Sequence, residues 1–258
     1  MKNFLLAADE PPAVTETRRD GASDFVIVVD HASRLIPRRL AALGLPDSEA
    51  RRHIAWDIGA LAVAERVAES LDAALVAQGY SRLVIDCNRD PSHPAAIAPL
   101  SEFTRIPGNE NLAWDDREAR RREIFAPYHG RIASLLDERQ RQGRRTILIA
   151  QHTMTPVFKG DRRDMETAVL YNRDGRFALA LKDALGATCA DNRPYAMTDQ
   201  SDYTLPVHGE KRGLLHVGLE IRQDLVEDRA GQLLWADRVA SALETARSGF
   251  LCSNISIS

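Results

Sequence analysis

The amino-acid sequence predicts an α/β protein, a single three-layer domain in which a mixed, mostly parallel sheet is flanked by helices. Several short apolar runs end in polar residues that can bind a metal or move a proton, and helical patterns lie between these runs. Strands that alternate with helices favour parallel pairing with helices packed on the sheet. Because the chain has no internal repeat and no low-complexity linker, we expect one domain over residues 1–258 with its core at 24–245.

Four segments carry the patterns expected of strands. Residues 25–29 are five apolar, mostly β-branched residues, which is typical of a strand buried on both faces. Residues 81–85 and 146–150 are further apolar runs, and residues 214–222 alternate strictly between two faces. Each run leads into polar residues, as at a ligand site beyond the carboxyl ends of a parallel sheet. We expect residues 1–24 to be an irregular lead-in.

Apolar residues spaced by three and four predict the helices. Residues 60–77 form the clearest helix, which Gln78 and Gly79 end. Residues 116–143 read as one interrupted helix or as two, with Pro127 in the first turn of the second. A shorter helix is expected at 177–185. The last helix has four residues on one face, namely Trp235, Val239, Ala242 and Ala246.

Two long segments, residues 88–114 and 190–213, lack periodicity. The first contains several prolines, and an irregular connection of this length favours a substrate-binding loop over disorder. A short strand is expected at residues 167–171. The arginines at 117 and 120–122 alternate with glutamates, which predicts a solvated, ion-paired helix face rather than a phosphate site.

Composition excludes several classes of partner. The 258 residues include 34 basic and 37 acidic ones, mixed along the chain, and the net charge is −3. We therefore expect neither a nucleic acid nor an anionic membrane as partner. Three scattered cysteines favour a reducing cytoplasm, and the first residues lack the apolar core of a signal peptide. The signatures GxGxxG after a strand, GxxxxGK[ST], GxSxG and HExxH are absent, which argues against dinucleotide, P-loop, serine-hydrolase and HExxH zinc sites.

Two histidines each follow a predicted strand directly, namely His31 and His152. Catalytic zinc prefers three protein ligands drawn from imidazole and carboxylate, with a fourth position left for water. Asp57 is the candidate third ligand and Asp30 is its rival. Each histidine alone is also compatible with a hydrogen-bonded structural role, and Asp57 with a carboxylate at a helix N-terminus.

Three further residues are candidates for catalysis and substrate binding. Glu220 lies in an otherwise apolar strand, where burial raises the pKa of a carboxylate toward the range of a general base. The alternative is an internal salt bridge with Arg222. Asn88 and Arg89 follow the predicted strand at 81–85 and either cap it or bind a substrate carboxylate through the arginine fork.

Five segments together resemble the N-formylglutamate amidohydrolase family over roughly residues 24–245, and more distantly the aspartoacylases and zinc carboxypeptidases. These segments are the strand-end His31, YSRLVIDCNRDP at 80–91, YHG at 128–130, QHTMTP at 151–156 and GLEIRQDL at 218–225. The resemblance implies a phosphorylase/hydrolase-like fold of the zinc carboxypeptidase type. It also implies hydrolysis of a carbon–nitrogen bond other than a peptide bond in a small acidic N-acyl amino acid. For N-formylglutamate the products are glutamate and formate.

The resemblance also implies roles for individual residues. His31, Asp57 and His152 would hold one zinc ion per chain, which would lower the pKa of its bound water. Glu220 would take the proton. Arg89, with Asn88, would bind the substrate carboxylate or the developing oxyanion, and Arg222 could share that role.

Two local departures from the expected pattern weaken the substrate assignment more than the reaction type. Carboxypeptidase-like enzymes use His-x-x-Glu, whereas Arg34 follows His31 at that spacing, and His-Ala-Ser replaces the deformylase His-Ser-Gly. The alternatives are a metal-dependent peptidase or cell-wall amidase, and a catalytically degenerate relative that binds an acidic metabolite. The other histidines receive minor roles: His129 structural or supporting, His93 and His208 exposed, and His216 a neighbour of Glu220.

Overall fold

The computed structural model describes residues 4–255, with side chains described for residues 4–250. Residues 1–3 and 256–258 of the predicted domain therefore lie outside the described part. The strands of the described chain are β1 (Val14–Thr17), β2 (Phe25–Val29), β3 (Ala74–Gln78), β4 (Leu100–Ser101), β5 (Thr104–Arg105), β6 (Ile147–Met154), β7 (Val157–Phe158), β8 (Asp161–Arg162), β9 (Thr167–Leu170), β10 (Cys189–Asp191) and β11 (Leu215–Arg222).

Seven strands form the central sheet, in the order β1-β3-β2-β6-β11-β9-β10. The four strands β3, β2, β6 and β11 run parallel to one another. β1 pairs antiparallel at one edge, and β9 pairs antiparallel with β11 and parallel with β10 at the other. The predicted mixed, mostly parallel sheet is confirmed. β4 with β5 and β7 with β8 form two separate short hairpins.

Helices cover both faces of this sheet. They are α1 (Asp47–Ala50), α2 (Ala60–Leu71), α3 (Trp114–Arg120), α4 (Ala126–Arg141), α5 (Arg176–Leu185) and α6 (Arg229–Ile255). Within residues 4–255, 3-10 segments lie at Arg38–Gly44, Pro94–Ile97, Pro107–Asn109, Glu210–Arg212 and Gln223–Leu225, and π-helical turns lie at Arg121–Phe125 and Leu205–Gly209. No helix in the described part of the chain combines the length and hydropathy that a membrane crossing requires.

The alternation of side chains along β2 shows why the domain has three layers. Phe25, Ile27 and Val29 pack with α2, α5 and α6 on one face of the sheet. Val26 and Val28 pack on the other face in the cluster that contains the buried side of α4. A strand covered on both faces has no solvent-facing side chains, so its sequence is a continuous apolar run.

The prediction of a strand at residues 81–85 is wrong, and the helix predicted for residues 60–77 extends only to Leu71. α2 ends at Leu71 because Asp72 adopts a left-handed conformation with φ of 49°. Residues 74–78 then pair with β2 as β3. The alanine-rich sequence of β3 continues the helical spacing of α2, which conceals the strand. Residues 81–85 form a turn in which the Val84 amide donates to the Ser81 carbonyl.

The structure also tests the predictions for the first 24 residues and for the helical segment at 116–143. The lead-in at 1–24 contains an edge strand, β1, rather than irregular chain alone. Residues 114–141 are helical throughout, with a π-helical turn joining α3 to α4, so the predicted interrupted helix is confirmed. Arg121 and Arg122 are ion-paired at the surface as expected, but Arg120 is buried and binds the Val84 carbonyl.

Candidate metal centre and active site

The candidate site lies at the carboxyl ends of three parallel strands. β2 leads directly into Asp30 and His31, and β6 carries His152 near its end. Glu220 of β11 is the register partner of His152 on β6. Since these strands are parallel and adjacent, their ends meet at one edge of the sheet, where α/β proteins usually bind ligands.

Asp57 reaches the same edge from the segment before α2. Its amide donates to the His31 carbonyl at 3.0 Å, which fixes the segment beside the end of β2. Gly59 follows with φ of 80°, and a Cβ there would lie 2.4 Å from the Val226 carbonyl oxygen. Only glycine fits this turn without strain, and the turn directs the Asp57 carboxylate toward the strand ends.

The side chains of His31, Asp57 and His152 converge. Asp57 Oδ2 lies 3.3 Å from His31 Nδ1 and 2.8 Å from His152 Nδ1. One ligand atom from each of the three residues lies within 4.8 Å of the others, and all three side chains are buried. The structure therefore brings together the three residues that the sequence nominated for metal binding.

Each histidine of the group has a second carboxylate on the far side of its ring. His31 Nε2 lies 2.8 Å from Asp86 Oδ1, and His152 Nε2 lies 3.2 Å from Asp30 Oδ2. Asp30 in turn accepts hydrogen bonds from the hydroxyls of Tyr128 and Thr204. Asp30 thus supports His152 from outside, and Asp57 is the carboxylate that faces both Nδ1 atoms.

The buried charges make this site attractive to a cation. Burial by itself raises the pKa of Asp30, but His152 outweighs that effect and holds the pKa at about 2. Burial and Arg82 lower the pKa of His31, yet Asp86 and Asp57 outweigh them and raise it. Burial likewise lowers the pKa of His152, whereas Asp30 and Asp57 raise it well above its ordinary value. Positive charge is therefore stabilised between these carboxylates.

The donor set fits a zinc ion. Two imidazole nitrogens and one carboxylate oxygen are a common zinc set, with bonds of about 2.0–2.2 Å that an ion among these three atoms can make after small shifts. Carboxylates on the outer ring nitrogens are the usual support of metal-bound histidines, because they fix the tautomer and the ring orientation. An ion held by these three side chains would keep one coordination position for water or substrate, as catalytic zinc requires.

Glu220 borders the same cavity as His31, Asp57 and His152. It is 5% exposed, its Oε1 accepts a hydrogen bond of 3.1 Å from the Tyr195 hydroxyl, and its Oε2 is buried without a hydrogen-bond partner among the described residues. Burial raises the pKa of this carboxyl. An unpaired, buried carboxylate oxygen is costly unless it has a role in the site.

The cavity has a volume of about 270 Å³ and contains three arginines. Arg82 reaches Asp86 at 2.7 Å and Asp57 at 3.5 Å, so it is committed to the site carboxylates. Arg89 and Arg163 also line the cavity, and neither forms an ion pair within the described part of the chain. These two guanidinium groups are available to an anionic ligand.

Two predicted substrate-binding residues are already engaged elsewhere. Asn88 borders the cavity, but its amide donates to Asp202 and accepts from the amides of Tyr203 and Thr204. Arg222 is not among the lining residues of the cavity. Its guanidinium binds Asp224 and three backbone carbonyls at residues 163–165, so the predicted salt bridge with Glu220 does not form either.

Comparison with models of known protein families assigns this chain to a family. The family model of N-formylglutamate amidohydrolase matches residues 23–227. The chain belongs to this family. A gene product of Agrobacterium tumefaciens has a crystal structure similar to this protein, with a TM-score of 0.93 and 36% sequence identity over 95% of this chain and 99% of the other. The protein is therefore a hydrolase of the N-formylglutamate amidohydrolase family.

More distant similarity is limited to the fold. The crystal structure of N-formylglutamate amidohydrolase from Ralstonia eutropha has a TM-score of 0.67 and 19% identity, covering 92% of this chain and 98% of that one. An aspartoacylase family protein from Mesorhizobium loti gives a TM-score of 0.35 and 12% identity over 90% and 68% of the two chains, too little to support an argument. A comparison with curated proteins gave no significant match.

Sequence reasoning did not assign several residues of the cavity and its surroundings to the site, among them Arg82, Asp86, Arg163 and Tyr195. Two of them lie inside the family-like segment at 80–91, where Arg82 and Asp86 are four residues apart and form an ion pair. That charged pair in an otherwise apolar run was the available signal. Tyr195 lies in the aperiodic segment at 190–213, and Arg163 follows β8. No local sequence pattern separates either residue from its neighbours as a site residue.

The remaining histidines lie outside the metal group. His208 is 4% exposed rather than exposed as predicted, and its Nε2 lies 3.0 Å from Nδ1 of His129 in a stacked pair. His129 also donates from Nε2 to the Cys87 carbonyl. His93 is exposed, and His216 is buried with Nδ1 bonded to the Leu214 carbonyl.

Proposed function

We propose that this protein is a zinc-dependent hydrolase that cleaves the amide C–N bond of a small acidic N-acyl amino acid. N-formylglutamate, which would yield glutamate and formate, is the first candidate because the chain belongs to the family of that name. The observation that carries the proposal is the convergence of His31, Asp57 and His152 beside the buried Glu220.

In this proposal His31 Nδ1, His152 Nδ1 and Asp57 Oδ2 would hold one zinc ion per chain. When bound, zinc supplies Lewis-acid activation of water and of the substrate carbonyl. Asp86 and Asp30 fix the two rings so that the Nδ1 lone pairs point inward. Burial of the whole group excludes competing water from these polar contacts.

Glu220 is the general base and then the general acid in this scheme. Its unpaired Oε2 takes a proton from the attacking water, and the raised pKa keeps the transfer favourable near neutral pH. The same carboxyl then delivers the proton to the departing amine nitrogen. The Tyr195 hydroxyl holds Oε1 at 3.1 Å and so fixes the orientation of the base.

Arg89 is the candidate receptor for the α-carboxylate of the substrate. It borders the cavity, and the one hydrogen bond of its guanidinium among the described residues runs from Nη1 to the Asn88 carbonyl. The rest of its fork is available for bidentate binding of a carboxylate. The side-chain amide of Asn88 contributes by holding residues 202–204 against the site, not by binding the substrate itself.

The two alternatives make different predictions. A metal-dependent peptidase or cell-wall amidase would hydrolyse peptide substrates, and a degenerate relative would bind an acidic amino acid without turnover. A cytoplasmic location and the extent of the domain over residues 1–258 remain predictions from the sequence.

Metal content and a substrate panel test the proposal together. We expect about one zinc per chain in the purified protein, and hydrolysis of N-formyl-L-glutamate that stops with a chelator and returns with zinc. N-acetyl-glutamate, N-formyl derivatives of neutral amino acids and short peptides complete the panel. Zinc-loaded protein that leaves the amino-acid derivatives intact but cleaves peptides would favour the peptidase, and no turnover at all would favour the binding relative.

A further inference from the structure

Arg163 is a cation inside the candidate active site without an anionic partner. It follows β8 and lines the cavity together with His152 and Glu220. Its Nη1 donates to the Thr155 carbonyl at 3.3 Å, and its guanidinium carbon lies 5.3 Å from the centre of the Phe158 ring. In the described part of the chain it forms no ion pair, and Glu220 acts on it only from beyond ion-pair distance.

A partly buried guanidinium without an anionic partner loses hydration free energy unless a ligand supplies the missing anion. Burial lowers the pKa of Arg163, which means that the surroundings disfavour its charge, although the group stays protonated at neutral pH. A partly buried guanidinium usually pairs with a carboxylate, which its planar fork binds through two parallel hydrogen bonds. Within the described part of the chain, the bond to the Thr155 carbonyl is the one hydrogen bond of the Arg163 guanidinium, so its other N–H groups are available to a ligand.

The fold also holds the backbone of Arg163 in place. Arg222 Nη1 donates to the carbonyl of Arg163 at 3.2 Å and to that of Met165 at 3.4 Å. The Arg222 amide donates to the Glu166 carbonyl at 2.8 Å. The arginine that the sequence nominated for substrate binding therefore anchors the loop that presents another arginine to the cavity.

We propose that Arg163 binds the side-chain carboxylate of the substrate and thereby selects acidic N-acyl amino acids over neutral ones. The inference rests on the proposed function. It assigns Arg163 to the side-chain carboxylate of the substrate, in addition to Arg89 for the α-carboxylate. Arg89 and Arg163 together offer two unpaired positive charges in one cavity. A dicarboxylate such as N-formylglutamate matches both charges, whereas a neutral side chain leaves one guanidinium unpaired.

The test compares Arg163→Gln with Arg162→Gln, which changes the adjacent, exposed arginine of β8. Each protein is assayed with N-formyl-L-glutamate and with N-formyl-L-glutamine, which differ in charge but hardly in shape. For Arg163→Gln we expect kcat/KM for the glutamate derivative to fall by about 10- to 100-fold, with the glutamine derivative changed by less than about 3-fold. Arg162→Gln and the wild type should share the same preference.

A binding measurement separates this inference from the proposed reaction. Calorimetry with L-glutamate and L-glutamine on zinc-loaded protein should show a preference for glutamate that Arg163→Gln removes and Arg163→Lys retains in part. Wild-type protein without hydrolytic activity but with this Arg163-dependent preference would refute the reaction and support the inference. The inference is overturned if the wild type does not distinguish the two ligands, or if Arg163→Gln weakens both equally while melting temperature and zinc content stay unchanged.

Discussion

Asp86 Oδ1 lies 2.8 Å from Nε2 of His31, on the opposite side of the imidazole ring from Asp57. A carboxylate can only accept, so Asp86 would hold the proton of a metal-bound His31 on Nε2 and leave Nδ1 free to bind the ion. The lone pair of Nδ1 then points to the same place as Nδ1 of His152. A residue that no sequence pattern assigned to the site thus determines how a predicted ligand is presented.

We expect Asp86→Asn to lower the affinity for zinc by about 10- to 100-fold, since the amide no longer fixes the His31 tautomer through a negative charge. Competition with a chromophoric chelator measures the change. Asp20→Asn, at an exposed aspartate that does not line the cavity, is the control and should leave the affinity unchanged. Equal affinities of Asp86→Asn and wild type would show that Asp86 does not support the metal centre.

Glu220→Gln should retain zinc and lose turnover. Glu220 lies outside the group of three candidate ligands, so we expect the metal content to stay at the wild-type level. Loss of the general base should reduce kcat by about 10²- to 10⁴-fold. Glu65→Gln on α2 is the matched control at an exposed glutamate. Full activity of Glu220→Gln on a confirmed substrate would exclude Glu220 as the base.

The buried pair of His129 and His208 should make the fold sensitive to acid. Burial lowers the pKa of His129 to about 4 and, together with His129, that of His208 to about 3, against an ordinary value of 6.5. Between pH 6.5 and the folded-state pKa the unfolded chain binds protons that the folded chain does not. Each histidine therefore reduces the free energy of unfolding by about 1.4 kcal/mol per pH unit as the pH falls through this range.

Urea denaturation at several pH values isolates this effect. His208→Phe keeps a ring against His129 and removes one titrating group, so its stability should fall less steeply between pH 6 and pH 4, by about 1.4 kcal/mol per unit. His93→Gln changes an exposed histidine and should retain the wild-type slope. A parallel pH dependence in His208→Phe and wild type would rule out His208 as a source of acid sensitivity.

Arg120 should contribute more to stability than its neighbours on the same helical segment. Its guanidinium is buried and donates to the carbonyls of Val84 and Gly108 and to Asn109 Oδ1. Arg120→Met leaves these acceptors unsatisfied, and we expect a loss of about 3 kcal/mol in the free energy of unfolding. Arg121→Met removes only a surface ion pair with Glu118 and should cost less than about 1 kcal/mol. Chemical denaturation gives both values, and similar losses for the two variants would contradict a special role of Arg120.

Sequence patterns were informative where a segment is buried on both faces or repeats regularly. β2 and β6 were predicted because a strand buried on both faces is a continuous apolar run, and β11 because its side chains alternate. α5 and α6 were predicted because one face of each packs on the sheet. β3 was missed because its alanines continue the helical spacing of α2, and the break depends on the left-handed conformation of Asp72. The spacing of apolar residues does not reveal the left-handed turn at Asp72, because the pairing of β3 with β2, a contact distant in sequence, stabilises it.

The sequence by itself indicated that His31, His152 and Glu220 lie on or directly after strands of a mostly parallel sheet, because two apolar runs and one alternating segment marked β2, β6 and β11. The tertiary structure alone decided which carboxylate faces which imidazole nitrogen, and that Arg163 rather than Arg222 reaches the cavity. These outcomes depend on the paths of irregular loops and on side-chain directions. Neither is encoded in a repeating pattern, because contacts between residues distant in the chain set both.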